Sequence, residues 1–167
     1  MTTEELTAIK EYLLENLHKG FIVPSNTPFA SLVLFVSKLN RGLHFYIDYR
    51  KLNNIIKKDQ YLLLLIDKTL ARIINAKIFT KLDIRQAFHY IQLDPSNEEL
   101  TTFRTYYRTY KYQVLPFGLT NGLAIYQQYM NEVLSDYLDD FCIAYLNNIL
   151  IYLDNTLEYE NYIRLVL

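Results

Sequence analysis

The 167-residue sequence predicts an α+β domain, on three observations. Short β-rich runs come in pairs joined by turn residues, amphipathic helical stretches are interspersed among them, and no βαβ rhythm or internal repeat is present. Hydrophobic residues make up 51%, with only four Gly and four Pro, which allows a packed core and excludes disordered and low-complexity chains. The lone cysteine, Cys142, excludes an internal disulfide and a cysteine zinc site, and reads as a small buried apolar residue.

Each element has a local signal. Thr2 and Glu5 form a capping box, and Leu6, Ile9, Leu13, Leu14 and Leu17 recur at helical spacing until Gly20, so a first helix is expected. Residues 21–28 read as extended because two prolines and Ser25-Asn26-Thr27 oppose a helix. Runs 31–37 and 43–49 read as a hairpin turning at Leu39-Asn40-Arg41-Gly42, and a helix is expected over 66–75. "KIFTKLDI" (77–84) reads as a strand ending on Asp83; 87–93 reads as extended, with a turn at Asp94-Pro95-Ser96-Asn97. A second hairpin is expected from 101–107 and 109–115, then a long helix capped by Thr120 and running to about residue 140. The last helix, 157–167, has no stop signal, so the chain is expected to continue beyond it.

The net charge of −1 conceals an asymmetry. Residues 1–37 carry two basic and four acidic side chains, 38–85 eleven and four, and 86–167 four and ten. A basic middle block beside an acidic one suits a polyanion held near a cation, although ordinary surface charge would look the same. Lys51, Lys57 and Lys58 lie in the basic block as candidate phosphate contacts. No basic head followed by an apolar core opens the chain and no stretch approaches eighteen apolar residues, so an intracellular protein without a membrane span is expected.

Two near-copies of one tetrapeptide lie close together: Tyr137-Leu138-Asp139-Asp140 and Tyr145-Leu146-Asn147-Asn148. Around the first, Val133, Leu134, Tyr137, Leu138 and Phe141 mark one helix face, which leaves Asp139 and Asp140 as solvated helix carboxylates. Around the second, runs 141–146 and 149–152 flank Asn147-Asn148 as a tight hairpin with both amides at its tip.

"FTKLDIRQAFHYIQL", "FRTYYRTYKYQVLPFGLTN" and "YLNNILIY" together resemble the palm of reverse transcriptases from gypsy-class long-terminal-repeat retrotransposons, and "FYIDYRKLNNIIKKDQY" resembles their fingers. The resemblance implies a right-hand polymerase with an antiparallel palm sheet packed on helices: residues 1–80 a fingers-like region with the first palm elements, 81–167 the palm, and no thumb, connection or RNase H in this chain. It implies two Mg2+ ions, or Mn2+ in their place, held by a strand-end carboxylate and a hairpin carboxylate pair. Carried over, the strand-end group is Asp83, with the Ile84 carbonyl as a further metal ligand. Phe88 takes the aromatic position that excludes a ribose 2′-hydroxyl. Phe117, Gly118 and Gln127 lie near the incoming nucleotide and template, and Lys38 meets the triphosphate. The implied partners are an RNA or DNA template-primer, deoxynucleoside triphosphates and the rest of a retrotransposon polyprotein.

The hairpin pair departs from the pattern, since Asn147 and Asn148 stand where the family has Asp-Asp. An amide oxygen brings no negative charge to a hard cation, so an enzyme by descent with impaired or lost catalysis is expected. The alternatives are a noncatalytic nucleic-acid-binding or interaction remnant and a pseudogene product without a role. Leu62, Leu64 and Leu123 stand where the family usually has Pro, and His44 where it has Arg. Each change, like Asp to Asn, is one C-to-T or G-to-A transition away in a plausible codon, which points to decay under a directional mutational bias. Among the tyrosines, Tyr106, Tyr107, Tyr110 and Tyr112 are read as cross-strand packing ahead of base stacking.

Overall fold

The computed structural model describes residues 2–37, 43–59, 61, 73–74, 76–154 and 159–166. In chain order the elements are α1 (Thr3–His18), β1 (Ile22–Pro24), β2 (Leu32–Ser37), β3 (Leu43–Asp48), α2 (Arg50–Asn53), β4 (Ile78–Asp83), α3 (Pro95–Glu98), β5 (Phe103–Arg104), β6 (Thr109–Tyr112), α4 (Gly122–Val133), β7 (Cys142–Tyr145), β8 (Asn148–Leu153) and α5 (Tyr159–Val166). They form two compact units, one of residues 1–58 and 88–122, the other of 59–87 and 123–167. No described helix is long and apolar enough to cross a membrane.

The first unit is built on α1 and two antiparallel sheets. Thr2 caps α1 through the reciprocal bonds with Glu5 that the sequence signals. Ile9 and Leu13 of its apolar stripe are buried, while Leu14 is 61% exposed. That stripe closes over a core of Ile22, Phe103, Tyr110, Tyr112 and Val114. Burying one such side chain contributes about 1.5–3 kcal/mol, so this cluster supplies much of the unit's stability. The sheet order is β1-β6-β5, with Phe103 opposite Tyr110, and β2 pairs with β3 from Leu32–Asp48 to Ser37–Leu43. Tyr110 and Tyr112 are packing residues, whereas Tyr106 is 72% and Tyr107 48% exposed.

The second unit holds the sheet β4-β8-β7. Along β4, Ile78, Thr80 and Leu82 are half-buried and Phe79, Lys81 and Asp83 exposed, so the period of two places Asp83 on the solvent side. Buried Tyr126, Met130 and Leu134 come from α4 and its end, and Cys142, Ala144, Ile149 and Ile151 from the hairpin. Tyr159 of α5 hydrogen-bonds Thr80, and Tyr162 lies 4.4 Å from Phe141 between ring centroids.

Several sequence expectations are corrected. The long helix begins at Gly122 and ends at Val133, not near residue 140. The chain turns through 134–137, Leu138 bridges Cys142, and Asp139 takes φ 71°. Leu134 and Phe141 stay buried, so an i, i+7 spacing survives that consecutive turns, not helix, supply; Val133, expected inside, is 56% exposed. Asp139 and Asp140 are exposed, on a turn. Residues 87–90 form a 3-10 turn where extended chain is expected. Asp94-Pro95 begins helix α3, Asp94 accepting from the Ser96 N–H, because the residues that make a turn also make an N-cap followed by Pro. The hairpin turn is Leu146-Asn147, and Asn148 already pairs with Tyr145 and Asp83. Buried Ile149 and Ile151 set that register, since a slip of one residue would turn both to the other face. The hairpin turn at 39–42, Lys38, Leu62, Leu64 and most of the helix expected over 66–75 lie outside the described residues.

Candidate functional site

In the second unit, β4 carries Asp83 to the hairpin end. Asp83 stands in register with Asn148, and the Ile84 N–H donates to the Asn147 carbonyl at 2.8 Å, so strand end and turn are tied through backbone. The Asn147 side chain donates from Nδ2 to Asp83 Oδ1 at 3.4 Å, and Asn148 donates to Asn147 Oδ1 at 3.4 Å. The Oδ1 of Asn148 is buried and has no hydrogen-bond partner. Four of the expected residues, Asp83, Ile84, Asn147 and Asn148, therefore meet at one tip. Its side chains supply one carboxylate and two amides, and among the described residues no group of three or more His, Cys, Asp or Glu could hold a metal.

Gln127, expected near the incoming nucleotide and template, belongs to this unit too, and its side chain is hydrogen-bonded within it. It is 1% exposed. Its Oε1 accepts the Leu146 N–H at 2.8 Å, and its Nε2 donates to the Ala144 carbonyl at 3.0 Å and to Asn131 Oδ1 at 2.8 Å. Asn131 in turn donates to the Tyr61 hydroxyl at 2.7 Å.

The first unit holds Phe88, Phe117 and Gly118. Phe88 is buried and Phe117 55% exposed, their ring centroids 4.7 Å apart. A Cβ on Gly122 would sit 3.7 Å from Phe88 Cε1, an ordinary contact. His89 lies beneath Phe117 at 5.8 Å between centroids, its pKa held below the ordinary value by burial and then by Lys19. Gly118 takes φ 95°, with its carbonyl accepting from Asn53 Nδ2 at 2.8 Å. Asn53 Oδ1 accepts the Thr120 N–H at 2.8 Å. Sequence reasoning missed Asn53, Asn131 and Tyr61, because a polar side chain bonded to a distant backbone segment, as Asn53 is, or to another side chain, as Asn131 and Tyr61 are, leaves no periodic trace. The only available signal for Asn53 is its place inside the fingers-like motif.

A strand-end carboxylate aligned with the tip of an antiparallel hairpin, on a sheet backed by helices, defines the class of palm-type polymerase folds. The sequence matches the family Reverse transcriptase (RNA-dependent DNA polymerase) over residues 36–167, and the chain belongs to that family. It is 35% identical over 163 residues to the Retrovirus-related Pol polyprotein from transposon 297 of Drosophila melanogaster, covering 95% of this chain and 15% of that protein. The Transposon Tf2-7 polyprotein of Schizosaccharomyces pombe is 31% identical over 163 residues, covering 98% and 12%. The chain thus spans under a sixth of either relative. Among solved structures, the prototype foamy virus protease-reverse transcriptase superposes with TM-score 0.87 at 22% identity, covering 99% of this chain and 22% of that one. The foamy viral protease-reverse transcriptase in complex with an RNA/DNA hybrid gives 0.89 at 16% identity, with the same coverage. At these identities the likeness shows the fold.

Proposed function

We propose that this chain is the reverse transcriptase domain of a gypsy-class retrotransposon polyprotein whose catalysis is lost or severely impaired at the β7–β8 hairpin. Residues 1–80 are then fingers-like with the first palm elements, and 81–167 the palm. The ancestral reaction is template-directed DNA synthesis from deoxynucleoside triphosphates. The observation that carries this reading is the pairing of Asp83 with Asn148 and the amide donation from Asn147 to Asp83. Amides occupy the two places that the resemblance gives to carboxylates.

Reverse transcriptases use divalent metal ions, and this tip does not fit a pair of them. Two such ions bring four positive charges, and among the described residues Asp83 is the one carboxylate at the tip. Its Oδ1 already accepts an N–H, and the free amide oxygen of Asn148 is buried. If the missing charge removes only about 4 kcal/mol of transition-state stabilisation, the rate falls roughly a thousandfold. The fold is spared, because adjacent amides do not repel as adjacent carboxylates would. Template-primer binding is a separate property, favoured by exposed Lys51, Lys57 and Lys58.

Primer extension on an RNA template, with Mg2+ and then Mn2+, tests the reading by comparing this chain with the Asn147→Asp/Asn148→Asp variant. Activity only in the variant supports it. Activity in the unmodified chain overturns it, and silence in both places the loss beyond these two residues. Salt-dependent binding to a primer-template duplex then separates a nucleic-acid-binding remnant from a chain with no role.

A further inference from the structure

We propose that Gln127 is a positioning residue for the hairpin turn: its side-chain amide takes the place of one residue of a parallel neighbouring strand and fixes the backbone that carries Asn147. β7 pairs with β8 on one side; on its other edge the Cys142 carbonyl accepts the Asp139 N–H, which leaves the Ala144 carbonyl and the Leu146 N–H to be satisfied. On that edge Gln127 donates to the Ala144 carbonyl and accepts from the Leu146 N–H. A carbonyl and an N–H two residues apart are what one residue of a parallel strand bridges, so the side chain reproduces a ladder step without a strand.

The amide is itself held in orientation. Its second N–H goes to Asn131 Oδ1, and Asn131 is anchored by Tyr61. Both donor hydrogens are used, in a side chain 1% exposed, so no polar hydrogen remains to offer a nucleotide. What the arrangement secures is a backbone that does not hold itself. Leu146 takes φ 52°, a region that sterics disfavour for a residue with a Cβ, and such conformations persist only where surrounding contacts determine them. The resemblance makes Gln127 a substrate contact. The geometry makes it act on the tip through Leu146.

Two measurements test this, and only the second rests on the polymerase reading. In the chain as it stands, amide hydrogen exchange at Leu146 is compared with that in Gln127→Met, a near-isosteric change that removes the amide. Leu146 is expected to exchange about tenfold faster or more, with the β4–β8 ladder unchanged. Equal exchange at Leu146 overturns the proposal. Should Gln127→Met fail to fold, Asn131→Ala frees the amide while leaving both hairpin bonds available; a smaller acceleration at Leu146 is expected, and none overturns the proposal. In the Asn147→Asp/Asn148→Asp background, adding Gln127→Met is expected to lower kcat about tenfold with KM for the deoxynucleoside triphosphate within about twofold. A rise in KM at constant kcat would instead make Gln127 a substrate contact. If that background is inactive, the exchange measurement alone decides, so failure of the reading and failure of the proposal stay distinct.

Discussion

Asn53 and Gly118, 65 positions apart, are joined by a 2.8 Å hydrogen bond from the Asn53 Nδ2 to the Gly118 carbonyl. The same amide accepts the Thr120 N–H, so it bridges a carbonyl and an N–H two residues apart, as Gln127 does in the other unit. In both places a loop with positive-φ backbone, at Gly118 and at Leu146, is held by one side-chain amide. Asn53→Leu removes donor and acceptor together and is expected to destabilise the chain by about 2 kcal/mol. Asn53→Asp keeps the bond from Thr120 and should cost about half as much. Urea unfolding midpoints measure both, and a leucine variant as stable as the parent would mean that the Pro116-Phe117-Gly118 loop holds itself.

Gly118 needs its missing side chain for backbone reasons rather than for space. A Cβ there would meet Tyr49 Cδ2 at 3.6 Å and the Ile47 carbonyl at 3.7 Å, both ordinary contacts, but φ 95° is a conformation that L side chains rarely adopt. Gly118→Ala is therefore expected to cost about 1–3 kcal/mol. Gly20, at φ 70° after α1 with nothing within 4 Å of its would-be Cβ, lies in the left-handed region proper, so Gly20→Ala should cost only about 1 kcal/mol. Thermal unfolding of the two variants should preserve that order, and a Gly118→Ala chain no less stable than Gly20→Ala would refute the assignment.

His89 lies against Phe21, Phe117 and Tyr112, and its Nδ1 is buried without a partner. Burial, then the charge of Lys19, lowers its folded-state pKa below the ordinary value of 6.5. As pH falls through that ordinary value the unfolded chain takes up a proton that the folded chain resists. The contribution of neutral His89 is thus complete above pH 6.5 and declines below it, until the folded state also protonates. His89→Phe keeps a ring and removes the titration, so its stability relative to the parent should improve as pH is lowered from 7 to 5. Parallel stability curves would mean that His89 titrates alike folded and unfolded.

What the sequence made legible was whatever repeats or has a fixed local chemistry. The Thr2–Glu5 box, the alternation that ends β4 on Asp83 and the paired runs of each hairpin follow from rules acting within a few residues. The stopping point of α4 was not legible, because buried Leu134 and Phe141 keep helical spacing across chain that is no longer helical. The turn was displaced by one residue because Asn147 and Asn148 are locally equivalent, and only pairing of Asn148 with Asp83 distinguishes them. The hydrogen bonds of Gln127 to Ala144, Leu146 and Asn131 were not legible either, because they join a side chain to partners that only the fold brings together.

Leu146 is where the cost of that hairpin is concentrated. With a positive φ at the first turn residue and none at Asn147, the turn has the character of those that favour glycine in that place. A residue with a Cβ loses about 1–2 kcal/mol there, and glycine forfeits about 0.5–1 kcal/mol through its freer unfolded chain. Leu146→Gly is accordingly expected to stabilise the chain by about 0.5 kcal/mol. Leu146→Val adds β-branching to the same backbone and should destabilise by about 1 kcal/mol. Both are read from urea unfolding midpoints, in the order Gly above Leu above Val. If valine were tolerated as well as leucine, the turn would not hold its positive φ in solution, and the backbone constraint attributed to Gln127 would lose its purpose.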